Sequence, residues 1–397
     1  MLRRIFQLVL QHFAVAATLV GFGTCLAAGQ DVHVPQTALS LCPSLTVVAR
    51  ETVTPGTGIG ASPDGRWLAE YGHTLKGLEL KLVDRDSGQS RRLHLDFPPL
   101  PPGVVWKTTG ITFSKSGELF VVQSIGGLWV IESSSAAVRF QIFRDPHGLY
   151  PGTPTMAGGL LAAIFWPPES YFADAPGLKE VEIRFFDLQD GSRVRTRIFK
   201  LNTAEVWTRM ALSPDGRRLA ILLRPTRWPG KSDLRILEVE SNKILWQRKI
   251  SGEDLAWSED GAEVFVLAGQ LRWLDANTGK QRRSSAGNVR GSESQLLRIS
   301  ADAKLAVGSM ARYNPLLRGL RVHDRRDAQL LLWQLDTGAI LCDQQLRPSQ
   351  SADVWPTARG ELVALEEQYD VRPPLRLLQR ATLVVYRLES TGAEKTQ

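Results

Sequence analysis

The sequence lacks the short motifs that mark the commonest catalytic and metal sites. Its 397 residues contain no Gly-x-Ser-x-Gly nucleophile elbow, no His-Glu-x-x-His zinc motif and no Cys-x-x-Cys pair. The segment Gly230-Lys231-Ser232 resembles the end of a phosphate-binding loop, but Pro225 stands where that loop requires a glycine. We therefore predict no metal and no cofactor, and we expect a non-enzymatic protein while leaving an enzymatic role open.

Histidine and cysteine are also scarce. The six histidines are dispersed along the chain, a pattern typical of ordinary surface or core residues rather than of metal ligands. The three cysteines are Cys25, Cys42 and Cys342. Hydrophobic residues make up 43% of the chain and charged residues 22%, which favours a folded core and argues against both a multi-span membrane protein and a long disordered tract.

Only one long apolar run is present, and it lies at the N-terminus. Arg3 and Arg4 precede an apolar stretch over residues 5–26, and small residues follow at 27–29, so the sequence predicts a signal peptide over residues 1–29. A retained transmembrane anchor and lipidation at Cys25 are the alternatives, and only these would associate the protein with a membrane. We expect a periplasmic or secreted protein, and the absence of Asn-x-Ser/Thr sequons fits a bacterial periplasm.

Charge of one sign is not in large excess. The formal net charge is +7, and loss of the two leader arginines lowers it to +5. This modest positive charge favours solubility and a mild preference for anionic partners. A nucleic-acid partner is not expected behind an export signal.

What the sequence does contain is a repeat. Its clearest copies are Ser62-Pro63-Asp64-Gly65 and Ser213-Pro214-Asp215-Gly216, each followed by an apolar run. Proline fixes φ, aspartate bonds its own backbone and glycine adopts a left-handed conformation, so each block predicts a hairpin turn, and the recurrent aspartates need no catalytic or calcium-binding role. Seven copies begin at Ser62, Ser114, Thr155, Ser213, Ser258, Ser300 and Thr357. Their mean spacing of about 49 residues is typical of propeller blades.

A second element, an apolar strand that ends in a polar Asp/Gly turn, follows the anchors, as in residues 273–279. Together the two elements predict four antiparallel strands, A to D, per repeat. The pattern resembles the WD-repeat-like propellers, particularly the TolB-type repeat built around Ser-Pro-Asp-Gly. The resemblance covers residues 45–392 and implies an all-β, seven-bladed propeller of four-stranded antiparallel blades, but no particular partner. The chain lacks the Trp-Asp dipeptide of true WD repeats and has no room for TolB's separate N-terminal domain.

The last repeat is too short to supply its own D strand. After a C strand at 382–388, only a polar tail at 393–397 remains, whereas an unassigned strand occurs at 45–50, after a lead-in at 30–44. We predict that this N-terminal strand completes the seventh blade and closes the ring. A disulfide between Cys42 and Cys342 would then stabilise this closure of the ring. Two unpaired thiols are the alternative.

The insertions of this sequence fall into the B–C loops of blades three, four, six and seven. These loops are rich in arginine, aromatic residues and proline, a composition found at binding hot spots. The predicted site residues are Trp166, Tyr171, Arg227, Trp228, Arg312, Tyr313, Arg318, Arg321, His323, Arg325, Arg326, Tyr369 and Arg372. Because the charge of these loops is mixed, we expect a protein partner.

Three other interpretations of this loop surface stay open. The loops could merely cover the ring, with their arginines solvated. The chain also resembles the propeller subunits of quinone-dependent amine dehydrogenases and the propeller lactonases, which implies an enzyme or an enzyme subunit. A glycan-binding surface made of Trp166, Tyr171, Trp228 and Tyr313 is the last alternative.

Overall fold

Each of the seven repeats forms one antiparallel sheet of four strands in the computed structural model. The structure describes residues 42, 45–54, 57–74, 77–97, 108–124, 127–145, 148–166, 180–200, 205–225, 231–286, 292–312, 327–346, 350–372 and 375–389. No helix long and apolar enough to cross a membrane occurs among them.

The chain begins with β1 (Leu45–Val53), which belongs to the last blade. Blade one contains β2 (Gly58–Ala61), β3 (Trp67–His73), β4 (Gly77–Asp84) and β5 (Ser90–Asp96). Blade two contains β6 (Thr108–Phe113), β7 (Leu119–Ser124), β8 (Gly127–Glu132) and β9 (Val138–Phe143). Blade three contains β10 (Tyr150–Ala157), β11 (Leu160–Trp166), β12 (Glu180–Asp187) and β13 (Arg193–Lys200). Blade four contains β14 (Glu205–Leu212), β15 (Arg218–Pro225), β16 (Ser232–Glu238) and β17 (Ile244–Ile250).

Blade five contains the short strands β18 (Asp254–Trp257), β19 (Glu263–Leu267), β20 (Leu271–Asp275) and β21 (Gln281–Ser284). Blade six contains β22 (Ser292–Ile299), β23 (Leu305–Arg312), β24 (Asp327–Gln334) and β25 (Ile340–Leu346). Blade seven contains β26 (Gln350–Pro356), β27 (Glu361–Arg372) and β28 (Leu375–Leu388), with β1 as its outermost strand. The predicted seven-bladed propeller is therefore confirmed.

The core is divided among the seven interfaces between neighbouring blades. One apolar cluster joins blades one and two through Trp67, Phe120 and Trp129, and six further clusters join the remaining pairs in order, including blade seven to blade one. The B and C strands are buried on both sides, whereas outer strands such as β13 alternate toward solvent. A four-stranded sheet with two apolar sides must pack against a neighbour on each side, so the sheets form a closed ring.

The N-terminal strand closes the ring as predicted. β1 pairs antiparallel with β28, with Leu45 opposite Leu388 and Val53 opposite Ala381. Both strands are longer than the sequence suggested. The sulfur atoms of Cys42 and Cys342 form a disulfide, as the sequence predicts, with a Cα–Cα distance of 5.6 Å. Because Cys342 belongs to β25, this bond ties the N-terminal segment to blade six as well.

The repeat turns show the predicted chemistry. The Oγ of Ser62 accepts the N–H of Trp67 at 2.8 Å and donates to the carboxylate of Asp64. The Oδ1 of Asp64 accepts the N–H of Arg66 at 3.1 Å. The same hydrogen bonds recur in the turns that begin at Ser213 and Ser258. The recurrent aspartates therefore stabilise turns, as expected.

Thr155 is not a turn anchor, which corrects the sequence interpretation of blade three. In that blade Ala157 pairs directly with Leu160, and only Gly158 and Gly159 connect the two strands. Thr155 lies within β10, where its Oγ1 accepts the N–H of Leu212 in blade four at 3.2 Å. The sequence prediction was wrong because a hydroxyl residue three positions before a glycine does not by itself fix the register of a hairpin.

Candidate functional site

The ring has two faces that differ in their connections. We call the end that carries the A–B turns (such as 62–66) and the C–D turns (such as 85–89) the turn face, and the opposite end, which carries the B–C loops, the loop face. β1 begins at the turn face and β28 ends there, because Leu45 lies opposite Leu388, whose N–H bonds to the carbonyl of Gly360 in the A–B turn of blade seven. Within the described residues, the loop face therefore carries only connections between strands.

Connection lengths on the loop face are strongly uneven. The B–C connections of blades three and six cover residues 167–179 and 313–326, whereas those of blades one, two and five cover only 74–76, 125–126 and 268–270. Blade five also has the shortest strands, of four or five residues. The longest of these connections therefore belong to blades three and six, and the short blade five lies between blades four and six.

Blade seven differs from its predicted form. Instead of an irregular loop, β27 and β28 continue as a β-hairpin of 12 and 14 residues, in which Tyr369 pairs with Leu378 and Arg372 with Leu375. A paired hairpin satisfies its own backbone hydrogen bonds, so it can project from the ring without burial. Tyr369 and Arg372 thus lie on a strand that extends the loop face.

Most of the predicted site residues lie outside the described residues: Tyr171, Arg227, Trp228, Tyr313, Arg318, Arg321, His323, Arg325 and Arg326. Four others have a described backbone position. Trp166 ends β11, Arg312 ends β23 opposite Asp327, and Tyr369 and Arg372 belong to β27. All four positions are at the loop-face ends of their strands.

Sequence reasoning missed a row of charges on the innermost strands. Arg209, Asp254 and Asp353 each lie four positions before the turn anchor of blades four, five and seven, and Arg298 lies two positions before that of blade six. Ala211 and Ala256, which also lie two positions before their anchors, line a cavity at the axis, so this side of the innermost strands faces the channel. The channel wall of blades four to seven therefore alternates in charge.

These charged groups are held by neighbouring blades. The Nε of Arg209 lies 3.6 Å from Oδ1 of Asp254, whose carboxylate also accepts the N–H groups of Leu255 and Leu297 at 2.9 and 2.8 Å. Burial raises the pKa of Asp254 above its usual value, although Arg209 and these hydrogen bonds oppose the shift. Asp254 therefore links blades four, five and six.

Arg298 is fixed in a similar way by blade seven. Its guanidinium lies 4.0 Å from the ring centre of Trp355 and donates to the carbonyl of Val354 at 2.9 Å. One Nη lies 3.5 Å from the carboxylate of Asp353, and burial lowers the pKa of Arg298. The signal that could have found this row is the contrast with blades one and two, which have glycine at the corresponding position four residues before the anchor.

Tyr71, on the second strand of blade one, lies near the end of this row at Asp353 and Arg298. Its ring lies directly over Gly58, where an added Cβ would be 2.0 Å from the Tyr71 ring, so only glycine leaves it room. Burial and the nearby carboxylate of Asp353 raise the pKa of the Tyr71 hydroxyl to about 12. Tyr71 thus stays a neutral hydrogen-bonding group.

The turn face carries a cavity of about 1210 Å³ lined by A–B turn residues of all seven blades. Acidic residues gather there, but those with turn roles are already bonded: Asp64 and Asp302 accept from their anchor serines. Glu259 pairs with Lys115 at 2.8 Å. Within the described ranges, no group of three or more histidine, cysteine, aspartate or glutamate residues is placed to hold a metal ion.

Comparison with known proteins supports the fold and no more. No protein-family model matches the chain. No curated protein sequence matches it either. Among solved structures, the β-propeller domain of Myceliophteria thermophila Cps50 (Swd1) has a TM-score of 0.55 and 14% identity, over 86% of this chain and 99% of that chain. Kuenenia stuttgartiensis hydrazine synthase has a TM-score of 0.45 and 15% identity, over 64% of this chain and 80% of that chain. The chain is a seven-bladed β-propeller.

Proposed function

We propose that this propeller is a non-enzymatic binding scaffold of the periplasm that holds a protein partner on its loop face. The observation that carries this proposal is the asymmetry of the connections. The long connections at 167–179 and 313–326 join strands whose ends lie on the loop face, and the hairpin formed by β27 and β28 extends the same face. Binding residues are commonly placed on loops that a rigid scaffold positions.

The placement of the ring closure also supports this choice of face. Leu45 and Leu388, at the two ends of the described propeller, are paired at the turn face. The disulfide between Cys42 and Cys342 lies toward the same face. A partner that approaches the loop face is therefore remote from the paired residues Leu45 and Leu388.

Crosslinking in the native cell envelope tests the proposal. We compare the wild-type protein with a variant in which Arg318, Arg321, Arg325 and Arg326 are changed to alanine, and identify the captured proteins by mass spectrometry. A matched control carries alanine at Arg91, Arg92, Arg193 and Lys200, four exposed cations on outer strands. We expect the loop variant to lose its main partner at least tenfold, while the control keeps it.

The opposite result is equally informative. An unchanged set of partners in the loop variant, with both variants folded as judged by their thermal unfolding, would reject the loop face as the binding surface. Capture that fails only in the outer-strand control would assign binding to the rim of the ring instead.

A further inference from the structure

The turn face carries a groove that arises from the short turn of blade three. In blades one, two, four, five and six, six residues separate the last paired residues of strands A and B, as between Ala61 and Leu68. In blade three only Gly158 and Gly159 do so, between Ala157 and Leu160. The A–B turn of blade three therefore projects less than those of the other blades, and the axial cavity extends outward over this turn.

The two glycines of this turn have different surroundings. Gly158 has φ of 54° and lies against blade four, where an added Cβ would be 2.3 Å from the backbone of Asp215 and Gly216. Gly159 has φ of 77°, and an added Cβ would have no atom within 4 Å. The turn of blade three therefore packs against blade four at Gly158, whereas the space around Gly159 is open.

The floor of this groove is apolar. It contains Met156, Ala157 and Leu160 of blade three, together with Leu119 of blade two and Leu188 in the C–D turn of blade three. Leu119 and Leu188 are nearly buried, and Met156 packs against the cluster that joins blades two and three. An apolar floor with glycine at its edge can accept either backbone or a hydrophobic side chain at close approach.

The walls of the groove are acidic. Glu118 and Asp187 line it, and among the described residues neither has a cation within ion-pair distance. The lining cation Lys115 is paired with Glu259 at 2.8 Å, and Arg139 with Glu132 at 2.5 Å. The local potential is therefore negative, although the protein as a whole is basic.

The extent of the groove fits a short length of chain. Its lining runs from Met156 and Ala157 on the innermost strand of blade three to Arg139 on the outermost strand of blade two. Crossing four strands spans about 14 Å at ~4.8 Å between neighbours, a distance that about four to five extended residues cover.

We infer that this groove, defined as the surface formed by Leu119, Met156, Ala157, Gly159, Leu160 and Leu188 between Glu118 and Asp187, binds an extended segment of a partner protein in which basic and apolar residues alternate. Alternation suits the geometry because successive side chains of an extended segment point in opposite directions. Apolar side chains would contact the floor while arginine or lysine side chains reach the two carboxylates. This second surface is separate from the loop face.

Fluorescence anisotropy with labelled pentapeptides tests the inference. The probe is Arg-Leu-Arg-Leu-Arg, and the comparison peptides are Glu-Leu-Glu-Leu-Glu and Arg-Ser-Arg-Ser-Arg. We expect the wild-type protein to bind the probe with a Kd well below about 1 mM, to bind the serine peptide more weakly and not to bind the acidic peptide. The affinity for the probe falls with added salt.

A charge-matched pair of variants assigns the site. In the groove variant Glu118→Gln/Asp187→Asn, the asparagine keeps the oxygen that accepts the N–H of Gln189, so the turn is retained. The control variant Glu51→Gln/Glu240→Gln removes two exposed carboxylates elsewhere. We expect at least tenfold weaker binding in the groove variant and unchanged binding in the control.

The position of the bound probe is determined independently by photocrosslinking. A probe that contains photoreactive leucine should label residues 156–160. The loop-face variant described above should bind the probe like the wild type, so the two proposals can fail separately. No binding by the wild type up to about 1 mM, equal binding by the groove variant, or labelling confined to other blades would each overturn the inference.

Discussion

The ammonium group of Lys115 lies 2.8 Å from Oε1 of Glu259, although the two residues belong to the A–B turns of blades two and five. On the other side of the axis, the carbonyl of Pro63 accepts the N–H groups of Ala301 and Ala358 from blades six and seven, at 3.2 and 2.8 Å. The turns of five blades are thus joined over the axis, and the turn-face end of the channel is crossed by polar contacts.

The Lys115–Glu259 pair should contribute little to stability. Both side chains are about half exposed, at 47% and 56%, and exposed pairs contribute roughly 0–1 kcal/mol. In a double-mutant cycle with Lys115→Met and Glu259→Gln, measured by urea unfolding, we expect a coupling free energy below about 1 kcal/mol that decreases with salt. A coupling above about 2 kcal/mol would mean that water is excluded from the pair.

The disulfide should account for a large part of the stability of the closure. It connects residues 300 apart, and the loop-entropy model gives a contribution of about 6 kcal/mol for a bond that closes so long a loop. We expect Cys42→Ala/Cys342→Ala to lower the unfolding temperature by several degrees. The wild type in reductant should match this variant, whose own unfolding should not respond to reductant; if wild-type stability is insensitive to reduction, the bond does not stabilise the ring.

Strand β1 should be replaceable in trans. A chain that starts at residue 54 exposes the edge of β28, where Leu383 and Val385 now pack in the closure. We expect this shortened chain to aggregate, because an unpaired apolar edge recruits other strands. Addition of a peptide of residues 45–53 should restore a monomer, as measured by size-exclusion chromatography, while a scrambled peptide should not; a monomeric shortened chain without peptide would contradict the closure.

The two glycines of blade three should differ sharply in their tolerance of alanine. Both have positive φ, which costs alanine about 1 kcal/mol. Only Gly158 contacts a neighbouring backbone, at 2.3 Å from an added Cβ. We expect Gly159→Ala to lower the free energy of unfolding by about 1 kcal/mol and Gly158→Ala by about 3 kcal/mol or more. Equal losses in chemical denaturation would show that blade three does not rest on blade four.

Asp84 should make stability depend on pH in the acid range. Its carboxylate accepts hydrogen bonds from Arg66, which lower its pKa from 3.8 to about 2. A lowered pKa in the folded state means that this stabilisation is complete above about pH 4 and is lost as the pH falls toward 2. The difference in unfolding free energy between the wild type and Asp84→Asn should therefore be constant near neutral pH and vanish over that window. A difference that persists at pH 2 would place its origin in packing rather than in charge.

Much of the ring could be predicted because its signals are local. The block Ser62-Pro63-Asp64-Gly65 carries its own turn chemistry, and the same hydrogen bonds recur wherever the full block occurs. Blade three was misinterpreted because Thr155 precedes a glycine by three positions, as the anchors do, but it pairs with Ala162 inside the hairpin. The hairpin of blade seven was missed because Pro373 and Pro374 indicate a loop, whereas Tyr369 to Arg372 pair with the next strand.

The candidate site could be predicted only in part. Loop length and composition indicated the loop face, and the strand ends at Trp166 and Arg312 are consistent with it. The contacts of the channel and groove were not visible in the sequence. Arg209 and Asp254 are 45 positions apart, and only the closed ring brings them within 3.6 Å.

The amino-acid sequence by itself determined the number of blades, the turn chemistry and the strand that closes the ring, because hairpin turns and apolar alternation act between residues close in the chain. Only the tertiary structure decided which charges face the channel, that Lys115 meets Glu259 across it, and that two glycines in blade three leave a groove beside Glu118 and Asp187. Those features depend on the spatial positions of different blades, which the packing of seven sheets around one axis sets.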